Sequence, residues 1–275
     1  MKAMILAAGL GTRLKPLTDT RPKALVELSG RTLLEITLTR LRTFGVTEFI
    51  INVHHFADQV TAYLKSHNNF GLRIEISREE VLLDTGGGLK KAAWFFLEDS
   101  ARRNSHPSDS SRVDSTQMDE PFILHNVDVI STIDLRAMLQ FHTENQAVAT
   151  LAVQDRETSR PLLIDDHDQL RGRRIDNKDS VISSQARPLP LCASSAQRNL
   201  SSIPLHALAF SGIHVISPRL LPMLTEEGVF SIIPSYLRLA AQGEKILAFR
   251  ADQYYWRDLG RPADLSQAAL DLRQK

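Results

Sequence analysis

The N-terminal stretch AMILAAGLGTRLKPLTDTRPK constrains the fold more than any other part of the sequence. The apolar run over residues 2–8 is typical of a buried strand, and it ends at Gly9 in a glycine-rich loop. Gly9 and Gly11 let backbone N–H groups approach an anion, and Arg13 adds a guanidinium suited to phosphate oxygens. Lys23 supplies a second cation after an irregular, proline-containing segment. A strand that feeds such a loop predicts an α/β protein with a phosphate ligand at the end of its first strand.

This loop fits neither of the two best-known glycine-rich patterns. A Walker A loop needs the spacing GxxxxGK[ST], and a dinucleotide fingerprint needs a third glycine where this chain has Leu14. The longer pattern LAAGxGTRLxPxTxxxPK does match. It resembles the signature loop of the sugar-phosphate nucleotidyltransferases, which make NDP-sugars from an NTP and a sugar 1-phosphate.

The resemblance implies a role for each part of the loop. In this reaction a sugar phosphate oxygen attacks the α-phosphorus and pyrophosphate leaves in line, so the protein must position two anions and neutralise charge. The backbone of residues 10–12 and Arg13 would hold the triphosphate, and Lys23 would lie at the α-phosphate. We therefore expect catalytic roles for Arg13 and Lys23. The nucleotide-binding residues implied near the loop are Leu6, Ala8, Gly9, Gly11, Thr12 and Arg13.

Short strands alternate with helices through the first part of the chain. The runs Glu48–Val53 and Leu72–Ser77 predict strands, and helices are predicted after Thr32, which can cap one, and over Ala57–Lys65. This alternation predicts parallel β-α-β units in a doubly wound sheet whose ligands lie at the carboxyl ends of the strands. Together with the resemblance it predicts a Rossmann-like, GT-A-like α/β fold with a mixed, mostly parallel sheet.

The segment EEVLLDTGGG, residues 79–88, suggests the nucleobase end of the site. Three glycines before a helix would let backbone approach a flat ligand. In the family that the chain resembles, such a segment lines the base and sugar pockets, and the residue at the position of Glu79 reads the base edge. An ionised carboxylate only accepts hydrogen bonds, which suits guanine, or less completely uracil. Glu80 is an equal candidate by chemistry, and a solvated loop carboxylate is the alternative for Glu79. Asp84, Thr85 and Gly86 complete the predicted nucleotide-binding residues.

Two acids match the metal-binding positions of the family. Asp128 follows the apolar strand PFILHNV, and Asp258 lies in the segment YYWRDLG. The resemblance implies that both carboxylates hold Mg²⁺, which prefers oxygen ligands and keeps several waters. The convergence of two acids so far apart rests on the resemblance, not on their spacing.

The sugar phosphate is expected to contact Lys23 and Asn126, and Gly212 within the strand HALAFSGIHV would face the sugar hydroxyls. Family members often use a lysine in an EKP-like motif for the phosphate, and this sequence has no such motif. Arg160 is therefore our candidate for that cation.

The bulk properties set the remaining expectations. The 275 residues carry a net charge of +1 and one cysteine, with no apolar run long enough to span a membrane. We expect a single cytoplasmic domain over residues 1–275 that contacts neither nucleic acid nor membrane, with a homo-oligomer left open. Irregular insertions are predicted near residues 98–120 and 177–202. No hexapeptide repeats occur, so no β-helix domain is expected.

The resemblance therefore implies a nucleotidyltransferase of cell-wall or polysaccharide precursor synthesis. UTP with an N-acetylmuramate- or hexose-1-phosphate is the first choice, and a GTP-dependent mannose- or heptose-1-phosphate guanylyltransferase is the alternative. A cytidylyltransferase for a phosphorylated alcohol and a catalytically silent nucleotide-sugar sensor remain as further alternatives.

Overall fold

The computed structural model describes residues 1–97, 120–175, 178–182 and 204–273. The strands are β1 (Lys2–Leu6), β2 (Glu27–Leu28), β3 (Arg31–Thr32), β4 (Glu48–Val53), β5 (Arg73–Arg78), β6 (Phe122–Asn126), β7 (Val129–Ser131), β8 (Ala149–Gln154), β9 (Leu162–Asp165), β10 (Leu170–Ile175), β11 (Lys178–Val181), β12 (Leu205–Ile216), β13 (Ile246–Arg250) and β14 (Trp256–Asp258). The helices are α1 (Leu33–Thr43), α2 (Ala57–Ser66), α3 (Asp84–Lys91), α4 (Leu135–Glu144), α5 (Ile232–Ala241) and α6 (Pro262–Arg273).

One mixed sheet forms the centre of the protein, as predicted. Its strand order within the described residues is β11-β10-β9-β12-β6-β1-β4-β5, with β8 paired to β12 and β13 to β8. The strands β6, β1, β4 and β5 run parallel, and β12 joins β6 in antiparallel orientation. The carboxyl ends of the four parallel strands therefore meet at one edge of the sheet.

Both faces of the sheet are buried along its central strands β1, β4, β6 and β8, which explains why these strands read as apolar runs. Along β1, Ala3 and Ile5 face a core that includes α1, α2, α4 and α6, whereas Met4 faces a second core that includes α5. The predicted cap of α1 is confirmed, because the Thr32 hydroxyl accepts a hydrogen bond from the backbone N–H of Glu35 at 3.1 Å. None of the helices in the described ranges is both long and apolar enough to cross a membrane.

The predicted irregular segments fall mostly outside the described residues. Residues 98–119 are not described, and neither are 176–177 and 183–203. One part of the second segment was predicted wrongly: residues 178–181 form β11, which pairs antiparallel with β10. Its polar sequence KDSV gave no strand signal because β11 is exposed and has no apolar face to bury.

Three buried histidines predict a pH-dependent stability. Burial lowers the pKa of His125 and of His142 to about 4, and that of His214 to about 3. Since unfolding returns each imidazole to a pKa near 6.5, the unfolded chain binds more protons between about pH 6.5 and 4. The free energy of unfolding should therefore fall as the pH drops through this window, by up to about 1.4 kcal/mol per pH unit for each histidine.

Denaturant unfolding at pH 7 and pH 5 measures this loss. His142→Gln should reduce the pH dependence, with the same substitution at the exposed His55 as the control. An unfolding free energy that is equal at the two pH values in the unmodified protein would contradict the prediction.

Candidate active site

A cavity of about 350 Å³ lies at the carboxyl edge of the parallel strands. Nine of the residues predicted for the site line it: Leu6, Ala8, Gly9, Lys23, Glu79, Asp84, Thr85, Asn126 and Asp128. Leu6, Glu79 and Asn126 lie at or just after the ends of β1, β5 and β6, so all three strand ends contribute to the lining. Sequence reasoning missed Ala7, Asn52, Leu82, Val127 and Val229, which also line the cavity.

The glycine loop after β1 forms one wall of this cavity through Gly9. Gly11 has a φ of +65°, and a Cβ there would lie 2.9 Å from the Thr18 methyl carbon, so this turn requires glycine. The Thr18 hydroxyl donates to the Gly11 carbonyl at 2.8 Å and fixes the loop. Gly11 and Thr12 themselves do not line the cavity, and Thr12 begins a short 3₁₀ turn that carries Arg13.

The two acids predicted to share an ion do converge. Strand β7, which follows Asp128, pairs antiparallel with β14, and Asp258 lies opposite Val129. The N–H of Leu259 donates to the Asp128 carbonyl at 2.8 Å. This short ribbon places the two carboxylates close enough that Asp128 raises the pKa of Asp258, in the same direction as burial does.

Two cations accompany the acid pair. The Lys23 ammonium contacts Oδ2 of Asp128, and both side chains are largely buried. Burial opposes ionisation of Asp128, but the charge of Lys23 prevails and lowers the pKa of that carboxyl. Nη2 of Arg13 lies 3.6 Å from Oδ2 of Asp258, and a Cβ at Gly260 would clash with this guanidinium. The four side chains form one cluster in which the two neighbouring acids lie between the two cations.

The acid pair also suits a divalent cation. Oδ1 of Asp258 is buried and has no hydrogen-bond partner among the described residues. No third His, Cys, Asp or Glu completes a metal cluster in that part of the chain. Mg²⁺ is commonly held by one or two carboxylates, with phosphates and water as its other ligands. Asp128 and Asp258 therefore fit the hypothesis of a magnesium ion shared with substrate phosphates.

Glu79 lies inside the protein, so the alternative of a solvated loop carboxylate is wrong. Its side chain is 2% exposed, and it accepts hydrogen bonds from Nδ2 of Asn52 at 2.7 Å and from the Leu83 N–H at 2.9 Å. Oδ1 of Asn52 accepts from the Ala7 N–H at 2.7 Å. A carboxylate oxygen has a second lone pair, so Glu79 keeps capacity for a ligand. Glu80 is exposed and does not line the cavity.

The three glycines at 86–88 lie at a different position in the helix from the predicted one. They lie within α3 instead of preceding it, and the N–H groups of Gly86 and Gly87 donate to the Phe230 carbonyl at 2.9 and 3.1 Å. A Cβ at Gly86 would overlap the Phe230 ring. Gly86 and Gly87 therefore admit a neighbouring segment of the protein, and this segment carries Val229, 60% exposed, to the cavity, whereas Gly88 makes room for the side chains of Glu79 and Asn52.

The residues predicted at the sugar end separate into two groups. Asn126 lines the cavity, and Gly212, with a φ of +73°, makes room for it, since a Cβ at Gly212 would lie 2.8 Å from Nδ2 of Asn126. Gly212 itself does not line the cavity, and it coincides with a register shift between β12 and β8. Arg160 is exposed and also lies outside the lining.

Comparison with known protein families agrees with this geometry. A family model described as nucleotidyl transferase matches residues 2–161, more than half of the chain. The chain belongs to the nucleotidyl transferase family. In this nucleotidyl transferase the matched residues include the glycine loop, Lys23, Glu79 and Asp128, whereas Asp258 lies beyond them.

Individual relatives differ in the nucleotide that their names specify. The N-acetylmuramate alpha-1-phosphate uridylyltransferase of Caulobacter vibrioides is 54% identical over 93 residues, which cover 33% of this nucleotidyl transferase and 38% of the relative. The mannose-1-phosphate guanyltransferase of Candida albicans is 25% identical over 278 residues, covering 99% and 65%. The chain thus matches less than two thirds of the length of either relative.

The fold is shared with solved structures. The inositol-1-phosphate CTP transferase from T. maritima superposes with a TM-score of 0.65 at 19% sequence identity. The superposition covers 100% of this nucleotidyl transferase and 95% of the other chain. The likeness therefore extends over the whole mixed sheet.

Proposed function

We propose that this nucleotidyl transferase condenses an NTP with a sugar 1-phosphate to give an NDP-sugar and pyrophosphate. The observation that supports it most is the meeting of Asp128 and Asp258 with Lys23 and Arg13 beside the cavity. Phosphoryl-type transfer needs this combination, because catalysis depends on positioning and on stabilising charge. Membership of the family supports the same class of reaction.

In the proposed reaction, an oxygen of the sugar phosphate forms a bond to the α-phosphorus of the NTP. The bond from the α-phosphorus to the oxygen that bridges it to the β-phosphate breaks, and its electron pair leaves with pyrophosphate. Arg13 would compensate the charge that grows on pyrophosphate, and Lys23 would compensate the charge on the α-phosphate oxygens. Asp128 would keep the Lys23 ammonium oriented in the absence of substrate.

Asp128 and Asp258 would hold Mg²⁺, which neutralises phosphate charge when it is bound. The raised pKa of Asp258 is consistent with this role, because two close carboxylates ionise together more readily with a cation between them. Oδ1 of Asp258 would then gain the partner that it lacks in the described residues.

For the nucleotide we propose UTP first and GTP as the alternative. The 54% identity to the Caulobacter uridylyltransferase supports UTP, although it extends over only 93 residues. Glu79 at the cavity wall supports a base that offers N–H groups, which guanine does with two donors and uracil with one. An N-acetylmuramate- or hexose-1-phosphate is the proposed sugar substrate.

Incubation with each of the four NTPs, a panel of sugar 1-phosphates and Mg²⁺ tests the proposal through pyrophosphate release. Release with UTP or GTP and a sugar 1-phosphate is the expected result. Release only with CTP and phosphocholine would favour the cytidylyltransferase alternative, and no release with any pair would favour the sensor. Omission of Mg²⁺ should abolish release in each active combination.

Glu79→Gln should lower kcat/KM for the preferred NTP by about 10- to 100-fold, the range expected for a hydrogen bond to a charged group. The amide offers one acceptor oxygen where the carboxylate offers two, so its NH₂ group would face the donor of either Asn52 or Leu83. The ranking of the four NTPs should change as a result. Steady-state kinetics with each NTP measure the effect.

Glu80→Gln is the matched control, because it makes the same change at the neighbouring exposed position. It should leave the NTP ranking as in the unmodified enzyme. A Glu79→Gln enzyme with an unaltered NTP ranking would remove Glu79 from base selection.

A further inference from the structure

A fixed arginine outside the cavity lining has no role in the reaction as described so far. Arg156 follows β8, and its guanidinium carbon lies 3.6 Å from the centroid of the Trp256 ring. Nη2 of Arg156 donates to the Phe210 carbonyl at 2.7 Å. Trp256 is itself held by a hydrogen bond from Nε1 to the Ser211 carbonyl at 2.7 Å. A stacked, hydrogen-bonded guanidinium of this kind is preorganised to bind an anion.

This arginine also has unused hydrogen-bonding capacity. Among the described residues, Nε of Arg156 is buried without a partner, and the same is true of the Ser211 hydroxyl. A buried donor without a partner costs free energy, so each such atom in a native structure calls for a ligand or a water. An anionic acceptor beside Arg156 would satisfy the free donor.

The surroundings of Arg156 connect it to the acid pair. Burial lowers the pKa of Arg156, and the charge of Asp258 opposes this effect, so the two groups lie within electrostatic reach of each other. Arg13 approaches Asp258 from the glycine loop, whereas Arg156 approaches from the segment after β8. Asp258 thus has Arg13 on the side of the proposed triphosphate. It also has Arg156, which follows β8 and is hydrogen-bonded to a carbonyl of β12.

We propose that Arg156 binds the phosphate of the sugar 1-phosphate and orients its attacking oxygen, an assignment that rests on the proposed function. In an in-line displacement the attacking and leaving oxygens lie on opposite sides of the α-phosphorus, so a cation beside the incoming phosphate is on the other side from a cation beside the leaving pyrophosphate. Arg13 serves the leaving group, and Arg156 serves the incoming one. Arg156 thereby takes the role for which the sequence suggested Arg160, because the Arg160 side chain is exposed whereas the Arg156 guanidinium is held by Trp256 and the Phe210 carbonyl.

Arg156→Gln tests the assignment in the 275-residue chain. The KM for the sugar 1-phosphate should rise by about 10- to 100-fold, and the KM for the NTP should change by less than about twofold. Orthophosphate should inhibit the unmodified enzyme in competition with the sugar 1-phosphate, and its inhibition constant should rise in parallel in Arg156→Gln. Arg156→Lys, which keeps the charge but loses the planar fork, should show a smaller rise.

Two further substitutions make the result specific. Arg73→Gln removes an arginine from an exposed ion pair on β5 and controls for the loss of charge. Arg160→Gln compares the two candidate arginines directly, and an increase in sugar-phosphate KM for Arg160→Gln alone would overturn the assignment. If Arg156→Gln does not fold, Arg156→Lys replaces it as the test. In that case an unchanged KM for the sugar 1-phosphate and an unchanged inhibition constant for orthophosphate overturn the assignment. If the unmodified enzyme is active and Arg156→Gln has an unchanged KM for the sugar 1-phosphate, only this assignment is overturned. If the unmodified enzyme releases no pyrophosphate with any pair, the proposed function is overturned as well.

Discussion

Asp128→Asn is expected to reduce NDP-sugar formation by about a thousandfold or more, which corresponds to several kcal/mol of transition-state stabilisation. The neutral amide is a poor ligand for Mg²⁺, and it no longer compensates the Lys23 ammonium. The fold should persist with lower stability, because breaking a buried ion pair costs about 3–5 kcal/mol. Pyrophosphate release and denaturant unfolding measure the two effects separately.

A double variant separates the loss of the ion pair from the loss of chemistry. Lys23→Met with Asp128→Asn removes both charges, so it should recover much of the stability while turnover stays abolished. Asp58→Asn, at an exposed ion pair, is the matched control and should be fully active. Normal turnover in Asp128→Asn would exclude Asp128 from the reaction.

Arg13→Ala should lower kcat by about 100- to 1,000-fold, or about 2.7–4 kcal/mol, by analogy with the removal of one oxyanion donor. The guanidinium of Arg13 is anchored only loosely, at 3.6 Å from Asp258, and more than half of its side chain is exposed. It is therefore free to follow the pyrophosphate as negative charge grows. Steady-state kinetics over a range of NTP concentrations measure the change in kcat and in KM.

Lys15→Ala provides the control for Arg13, because Lys15 is a loop cation in an exposed ion pair with Asp19. We expect kcat to remain close to that of the unmodified enzyme. If Arg13→Ala raised only the KM for the NTP, Arg13 would contribute uniform binding instead of stabilising the transition state.

Much of the fold could be predicted because its strands and helices have strong periodic signals. The strand Glu48–Val53 was predicted to the residue, and Thr32 was predicted to cap α1. The cavity position of Gly9 and Asp128 followed from the rule that parallel strands present their carboxyl ends at one edge. Residues at the ends of buried strands were thus the most predictable part of the site.

Other features depend on long-range packing that no local pattern encodes. Asn52 lies within an apolar strand, and only its position opposite Leu6 in the sheet makes it part of the cavity. The glycines of α3 could be recognised as special, but Phe230, against which Gly86 packs, is distant in sequence. The fixed position of Arg156 could not be predicted for the same reason, because Trp256, on whose ring it stacks, lies on β14, far along the sequence.

The antiparallel ribbon of β7 and β14 makes the proposed metal site depend on two segments that are far apart in the sequence. A fragment that ended before residue 254 would retain the phosphate loop and Lys23 but would lack the second carboxylate. Contacts between residues far apart in sequence carry the largest loop-closure entropy and tend to form slowly. During synthesis the nascent polypeptide could therefore complete its glycine loop early, yet it would gain the second proposed metal ligand only after β14 had been translated and docked.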